Sequence, residues 1–92
     1  MSTAHYDIAV TAPAARAIRE RLPEGVAFAV IYFVTGPLLD NTRRVGAPLR
    51  DELEGIWSAR RGTYRVLYRI DDLSREVVVL RVAHRRDVYR PD

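Results

Sequence analysis

No cysteine occurs among the 92 residues, so neither a disulfide nor a thiolate metal site can form, as suits a reducing compartment. Lysine is absent as well. All fifteen basic side chains apart from the histidines are arginines, which grip phosphate with a planar pair of donors but release a proton only at very high pH. Histidine is confined to His5 and His84, so groups that exchange protons near neutrality are scarce. No apolar run reaches the roughly 18 residues of a membrane span, and the amino terminus lacks a basic region followed by an apolar one. The expectation is a soluble, cytoplasmic chain without membrane contact. P-loop, Rossmann, nucleophile-elbow and zinc patterns are missing too. Asp71-Asp72 reads as a hydrated turn, because no further carboxylate or histidine lies at ligand spacing. Neither metal nor cofactor is expected.

What is present is charge of one kind in one place. The net charge is +3, and from Trp57 onward Arg60, Arg61, Arg65, Arg69, Arg75, Arg81, Arg85, Arg86 and Arg90 face only Asp71, Asp72, Glu76, Asp87 and Asp92. Such asymmetry favours a polyanionic partner, since each neutralised phosphate releases counterions. Solubility alone is the plainer explanation. At this length the chain is expected to be one domain, 1–92, burying roughly 60 to 65 percent of its unfolded surface.

Along the chain, Tyr6, Ile8 and Val10 alternate with polar or small residues and predict a first strand. Thr11 suits an N-cap and Pro13 the first turn of a helix whose stripe is Ala14, Ile18 and Leu22. Pro23 ends it. A second helix is predicted from Glu24 to Thr35, with Val26, Ala29, Val30 and Phe33 on one stripe. Ala27, Phe28, Ile31, Tyr32 and Val34 make most of its circumference apolar, so it is either central or partly covered by another chain. Gly36-Pro37 ends this helix, and 38–48 reads as a connecting loop that docks Leu38, Leu39 and Leu49 on the core.

Trp57 and Tyr64, Val66, Tyr68 and Ile70 suit a pleated, half-buried surface, and Arg61-Gly62-Thr63 between them suits a tight turn. The two-residue period puts Tyr64, Val66, Tyr68 and Ile70 on one face and Arg65, Leu67 and Arg69 on the other, with Ser58 and Arg60 joining the second face. After the connection at Asp71-Asp72-Leu73-Ser74 comes a long Val-rich strand, Glu76 to His84, and then a basic segment through Tyr89. The predicted class is α+β, in the order β-α-α-β-β-β. Two helices cover one face of a small, antiparallel-rich sheet, and the other face is open and cationic.

Cleavage of RNA by its own 2′-hydroxyl needs a proton acceptor, cations for the phosphorane and a donor for the departing oxygen, and it needs no metal. His84 can exchange protons, Arg60, Arg65 and Arg85 can hold phosphate oxygens, and Tyr89 can stack on a base or bond the sugar. Each has a plainer reading: a hydrogen-bonded structural histidine at a strand end, and solubilising arginines at Arg65 and Arg69. Trp57, Tyr64 and Tyr68 share the apolar parity and are assigned to the core.

Pro48-Leu49-Arg50 with Leu53-Glu54-Gly55, Trp57-Ser58-Ala59-Arg60-Arg61-Gly62, Thr63-Tyr64-Arg65-Val66-Leu67-Tyr68 and Val82-Ala83-His84-Arg85-Arg86-Asp87-Val88-Tyr89 together resemble the RelE toxins of bacterial type II toxin–antitoxin pairs, within the RelE/ParE superfamily. The resemblance covers nearly the whole chain. It implies a ribosome-dependent endoribonuclease that cuts mRNA in the decoding site and is held inactive by a RelB-like antitoxin in a hetero-oligomer. By motif position it assigns catalysis to Arg65, His84, Arg85 and Tyr89, and positive potential to Arg60 and Arg61. Arg69, Arg81 and Arg86 are assigned with them to RNA and ribosome binding. Some members carry lysines in the strand where this chain has Ile56, Ser58 and Arg60. The ParE branch offers the alternative, a non-nuclease toxin directed at DNA gyrase.

Overall fold

The computed structural model describes residues 6–50 and 53–84. Strand β1 (Asp7–Val10) runs through Thr11 into helix α1 (Ala12–Arg16). Thr11 is extended and its hydroxyl accepts the Ala14 N–H at 3.4 Å, with Pro13 in the first turn, so the expected cap is present. The helix continues as a wider π-helical stretch, Ala17–Arg21, closed by the Leu22 N–H donating to Ala17 O at 3.1 Å. Leu22 then turns extended, as a residue before proline must, and Pro23 opens helix α2 (Glu24–Thr35) over the expected span.

Helix α2 buries Val30, Phe33 and Val34 and leaves Phe28 and Tyr32 67% and 73% exposed. A helix apolar nearly all round is therefore covered on one side only. The next residues differ from the expected loop. Pro37–Asp40 form a single turn, α3, that buries Leu38 and Leu39, and Ala47–Pro48 form a two-residue edge strand, β2. Neither has a period long enough to read, and an edge is where a strand tolerates proline.

Strands β3 (Trp57–Arg61) and β4 (Tyr64–Asp71) make the expected hairpin, with Gly62 at φ 55° as the first of two loop residues. Strand β5 (Glu76–His84) follows a loop in which Asp71 Oδ1 accepts the N–H groups of Leu73 and Ser74 at 3.1 and 3.2 Å. The sheet order is β1-β5-β4-β3-β2, antiparallel throughout except for β1, which lies parallel to β5. Only the antiparallel part was legible, because parallel pairing depends on where the intervening helices return the chain.

The core lies between the helices and one sheet face. Ala14, Val30 and Leu38 meet Ala59, Val66, Tyr68, Val77 and Val79 there, all fully buried. Each large side chain among them contributes about 1.5 to 3 kcal/mol. Trp57 and Tyr68 stack across β3 and β4 with ring centroids 6.3 Å apart, and the Tyr68 hydroxyl donates to Thr42 O at 2.6 Å. Burial pushes that phenol up to about 12. Strand β5 carries one extra residue: Val79 stands across from Tyr68 and Arg81 across from Leu67, leaving Leu80 over.

Candidate functional site

Residues directly opposite in a ladder share a face, so the register alone sorts the side chains. On the side away from the helices, one row holds Arg60, Arg65 and Ala83, the next Ser58, Leu67 and Arg81, and the next Arg69 and Val78. Four arginines expected in the site thus come together on the open face. The far end of the same face is acidic, with Asp7, Glu76 and Asp71 in one row across three strands. The surface is polarised along its strands, with cations at the hairpin end and carboxylates at the other. Counting charge over the whole carboxy-terminal third hid this, because the carboxylates are close in sequence to the arginines.

Arg65 is the best-held cation of the group. It is half-buried between Arg60 and Ala83, and its Nε is out of contact with solvent and has no hydrogen-bond partner. A buried, unpaired donor of this kind costs about 1 to 3 kcal/mol.

Two expected site residues sit elsewhere. Arg61 stands across from Tyr64 on the helix-bearing face, its guanidinium 4.8 Å from the centre of the Phe33 ring, so it is a cation–π partner of α2 and does not join the arginine row. His84 also stands across from Tyr64 and shares that face. Strict alternation from Val77 and Val79 carries His84 to the open side; the extra residue at Leu80 reverses the count. The three-residue step from Val79 to Val82, both buried, was the signal in the sequence. Arg85, Arg86 and Tyr89 lie outside the described residues.

A second polar cluster lies across the sheet end. Asp72 accepts from the Tyr6 hydroxyl and from Arg43 Nη2, each at 2.6 Å, tying together the residue that leads into β1, the segment after α3 and the β4–β5 loop. The hydrogen bond from Arg43 holds the Asp72 carboxyl below the usual carboxylate range, and Asp72 in turn raises Arg43. Among the described residues no group of three or more carboxylates or histidines is arranged to hold a metal ion, and no helix is long and apolar enough to cross a membrane.

The family model for the ParE toxin of type II toxin–antitoxin systems matches residues 8–89. Toxin RelE of Mycobacterium tuberculosis is 53% identical over 91 residues, covering 98% of this chain and 93% of that protein. Toxin RelG of the same organism is 52% identical over 85 residues, covering 92% and 97%. Among solved structures, the toxin–antitoxin complex RelBE2 of M. tuberculosis contains a chain that superposes with a TM-score of 0.85 at 51% identity, covering 88% of this chain and 99% of that one. The isolated RelE toxin of E. coli shares the fold at a TM-score of 0.70 and 20% identity, covering 86% and 83%.

Proposed function

We infer a translation-blocking ribonuclease from a chain that belongs to the RelE/ParE superfamily, the toxins of type II toxin–antitoxin systems. It is the toxin of such a pair. The observation that carries the nuclease reading is the register that gathers Arg60, Arg65, Arg69 and Arg81 on one open sheet face.

In the proposed reaction the 2′-oxygen of an mRNA nucleotide bonds to its own 3′-phosphorus and the bond to the next 5′-oxygen breaks. One proton leaves the 2′-hydroxyl and one reaches the departing oxygen, and the step needs no metal. Arg65, with Arg60 and Arg81 beside it, donates to phosphate oxygens and gains strength as charge builds on the phosphorane. Arg85 adds a second guanidinium and Tyr89 positions the nucleotide, both assigned by motif position. Arginine does not readily give up a proton and His84 faces the helix-bearing side, so Tyr89 is the proton carrier of the proposed set, with water as its counterpart.

Inhibition follows from a RelB-like antitoxin, by analogy with the complex formed by the 51% identical relative. The exposed apolar side of α2, with Phe28 and Tyr32, is the surface in this chain that such a partner fits. The target is mRNA on the ribosome, in the cytoplasm.

The test is cleavage of ribosome-bound mRNA, mapped by primer extension. Wild type cuts at codon-defined positions, and Arg65→Ala loses about 2 to 4 kcal/mol of transition-state stabilisation, roughly 30- to 1,000-fold in rate. Comparing His84→Gln with Tyr89→Phe identifies the proton carrier. The ParE name of the family model favours a second reading, inhibition of DNA gyrase. DNA breaks that depend on gyrase, with messages left intact, select that reading.

A further inference from the structure

Consecutive carbonyls of a regular strand point to opposite edges, so a neighbour on one edge reaches only every second one. Thr11 reaches two in succession. Its N–H donates to Val79 O at 3.0 Å, and its hydroxyl donates to Leu80 O at 2.8 Å. These carbonyls flank the point where β5 gains its extra residue, and pairing with β1 ends there, at Val10 and Val79. A bulge is the local geometry that turns both toward one edge.

The core specifies less than this. Val79 across from Tyr68 and Val82 across from Val66 are fixed by burial, which leaves Leu80 and Arg81 to share the single place across from Leu67. Sliding the extra position by one residue puts Leu80 in that place and Arg81 out of it, with both valines unmoved. Burial of the two valines is met by either arrangement, while Thr11 contacts only the observed one.

We propose that Thr11 is a positioning residue that fixes the β5 bulge at Leu80 and thereby holds Arg81 in the arginine surface. The consequence for RNA rests on the reading above; the register itself does not. The Thr11 hydroxyl donates to Leu80 O while accepting the Ala14 N–H, so serine reproduces its role and valine cannot.

Two readouts test this. Cross-strand proton contacts by NMR should join Arg81 to Leu67 in the wild type and in Thr11→Ser, and shift toward Leu80 and Leu67 in Thr11→Val. Binding of a short single-stranded RNA should weaken about tenfold in Thr11→Val, as in Arg81→Gln, and the double variant should be no worse than either. The salt slope of binding should fall by about 0.7, one phosphate contact on a single strand. Deleting Leu80 seats Arg81 across from Leu67 without a bulge, so Thr11→Val should cost no RNA affinity in that background. If Thr11→Val lowers only the melting temperature and leaves both the contact and the salt slope unchanged, the assignment is wrong. If the contact shifts while wild type binds no RNA, the register role stands and the RNA reading fails.

Discussion

Arg60 and Arg65 stand directly across from one another on β3 and β4, on the face turned away from the helices. Like charges at that position oppose folding by a few tenths of a kcal/mol, and salt screens them. Wild type should therefore gain stability as salt rises from low ionic strength. Arg65→Ala should be as stable or more so at low salt, with a smaller gain. Chemical denaturation at several salt concentrations measures both. A variant that loses cleavage while keeping or gaining stability separates the work of Arg65 from its packing.

Tyr68 links the core to the segment after α3 through its bond to Thr42 O. Tyr68→Phe should cost about 1 to 2 kcal/mol, because the Thr42 carbonyl is left without its donor. The phenol is held near 12 in the folded chain, above its ordinary value of 10, so the folded state keeps the proton longer than the unfolded one. Its contribution is complete below pH 10 and is lost as pH rises toward 12. The stability gap between wild type and Tyr68→Phe should narrow over that range.

Gly46 lies against the same hydroxyl. A Cβ there meets the Tyr68 hydroxyl and comes within 2.9 Å of Ser58 O. Gly46→Ala should destabilise by about 1 to 3 kcal/mol, measured by thermal unfolding. Combined with Tyr68→Phe the loss should be less than additive, since the phenylalanine removes the nearest of the three atoms in the way.

Asp72 joins Tyr6 and Arg43, and its carboxyl is held low chiefly by the hydrogen bond from Arg43. A depressed folded value means that the unfolded chain takes up the proton first, so the contribution is present above the ordinary carboxylate range and is lost as pH falls below it through the depressed folded value. Asp72→Asn should be less stable than wild type at neutral pH and equal to it in acid. Denaturation curves at a series of pH values test the crossover.

The helices were legible because each carries its own punctuation. Thr11 and Pro13 open the first, Pro23 divides the two, and Gly36-Pro37 ends the second. The hairpin was legible from the alternation in β4, and so was the placing of Arg65 and Arg69 opposite the aromatic face. The family resemblance was carried by the strings around Arg65 and His84. Short contacts were not legible: Ala47–Pro48 is too brief to show a period, and Arg61 looks no different in sequence from Arg60 although Phe33 claims it.

Residue order by itself determined the cationic strand, the span and all-round apolar character of α2 and the absence of cysteine chemistry, since these depend on side-chain type and local period. Tertiary structure decided which face received each residue of β5. That strand is apolar almost throughout, so its alternation is ambiguous, and one extra residue, held at its carbonyl by a threonine 69 positions earlier, moves His84 away from the arginines and Arg81 toward them.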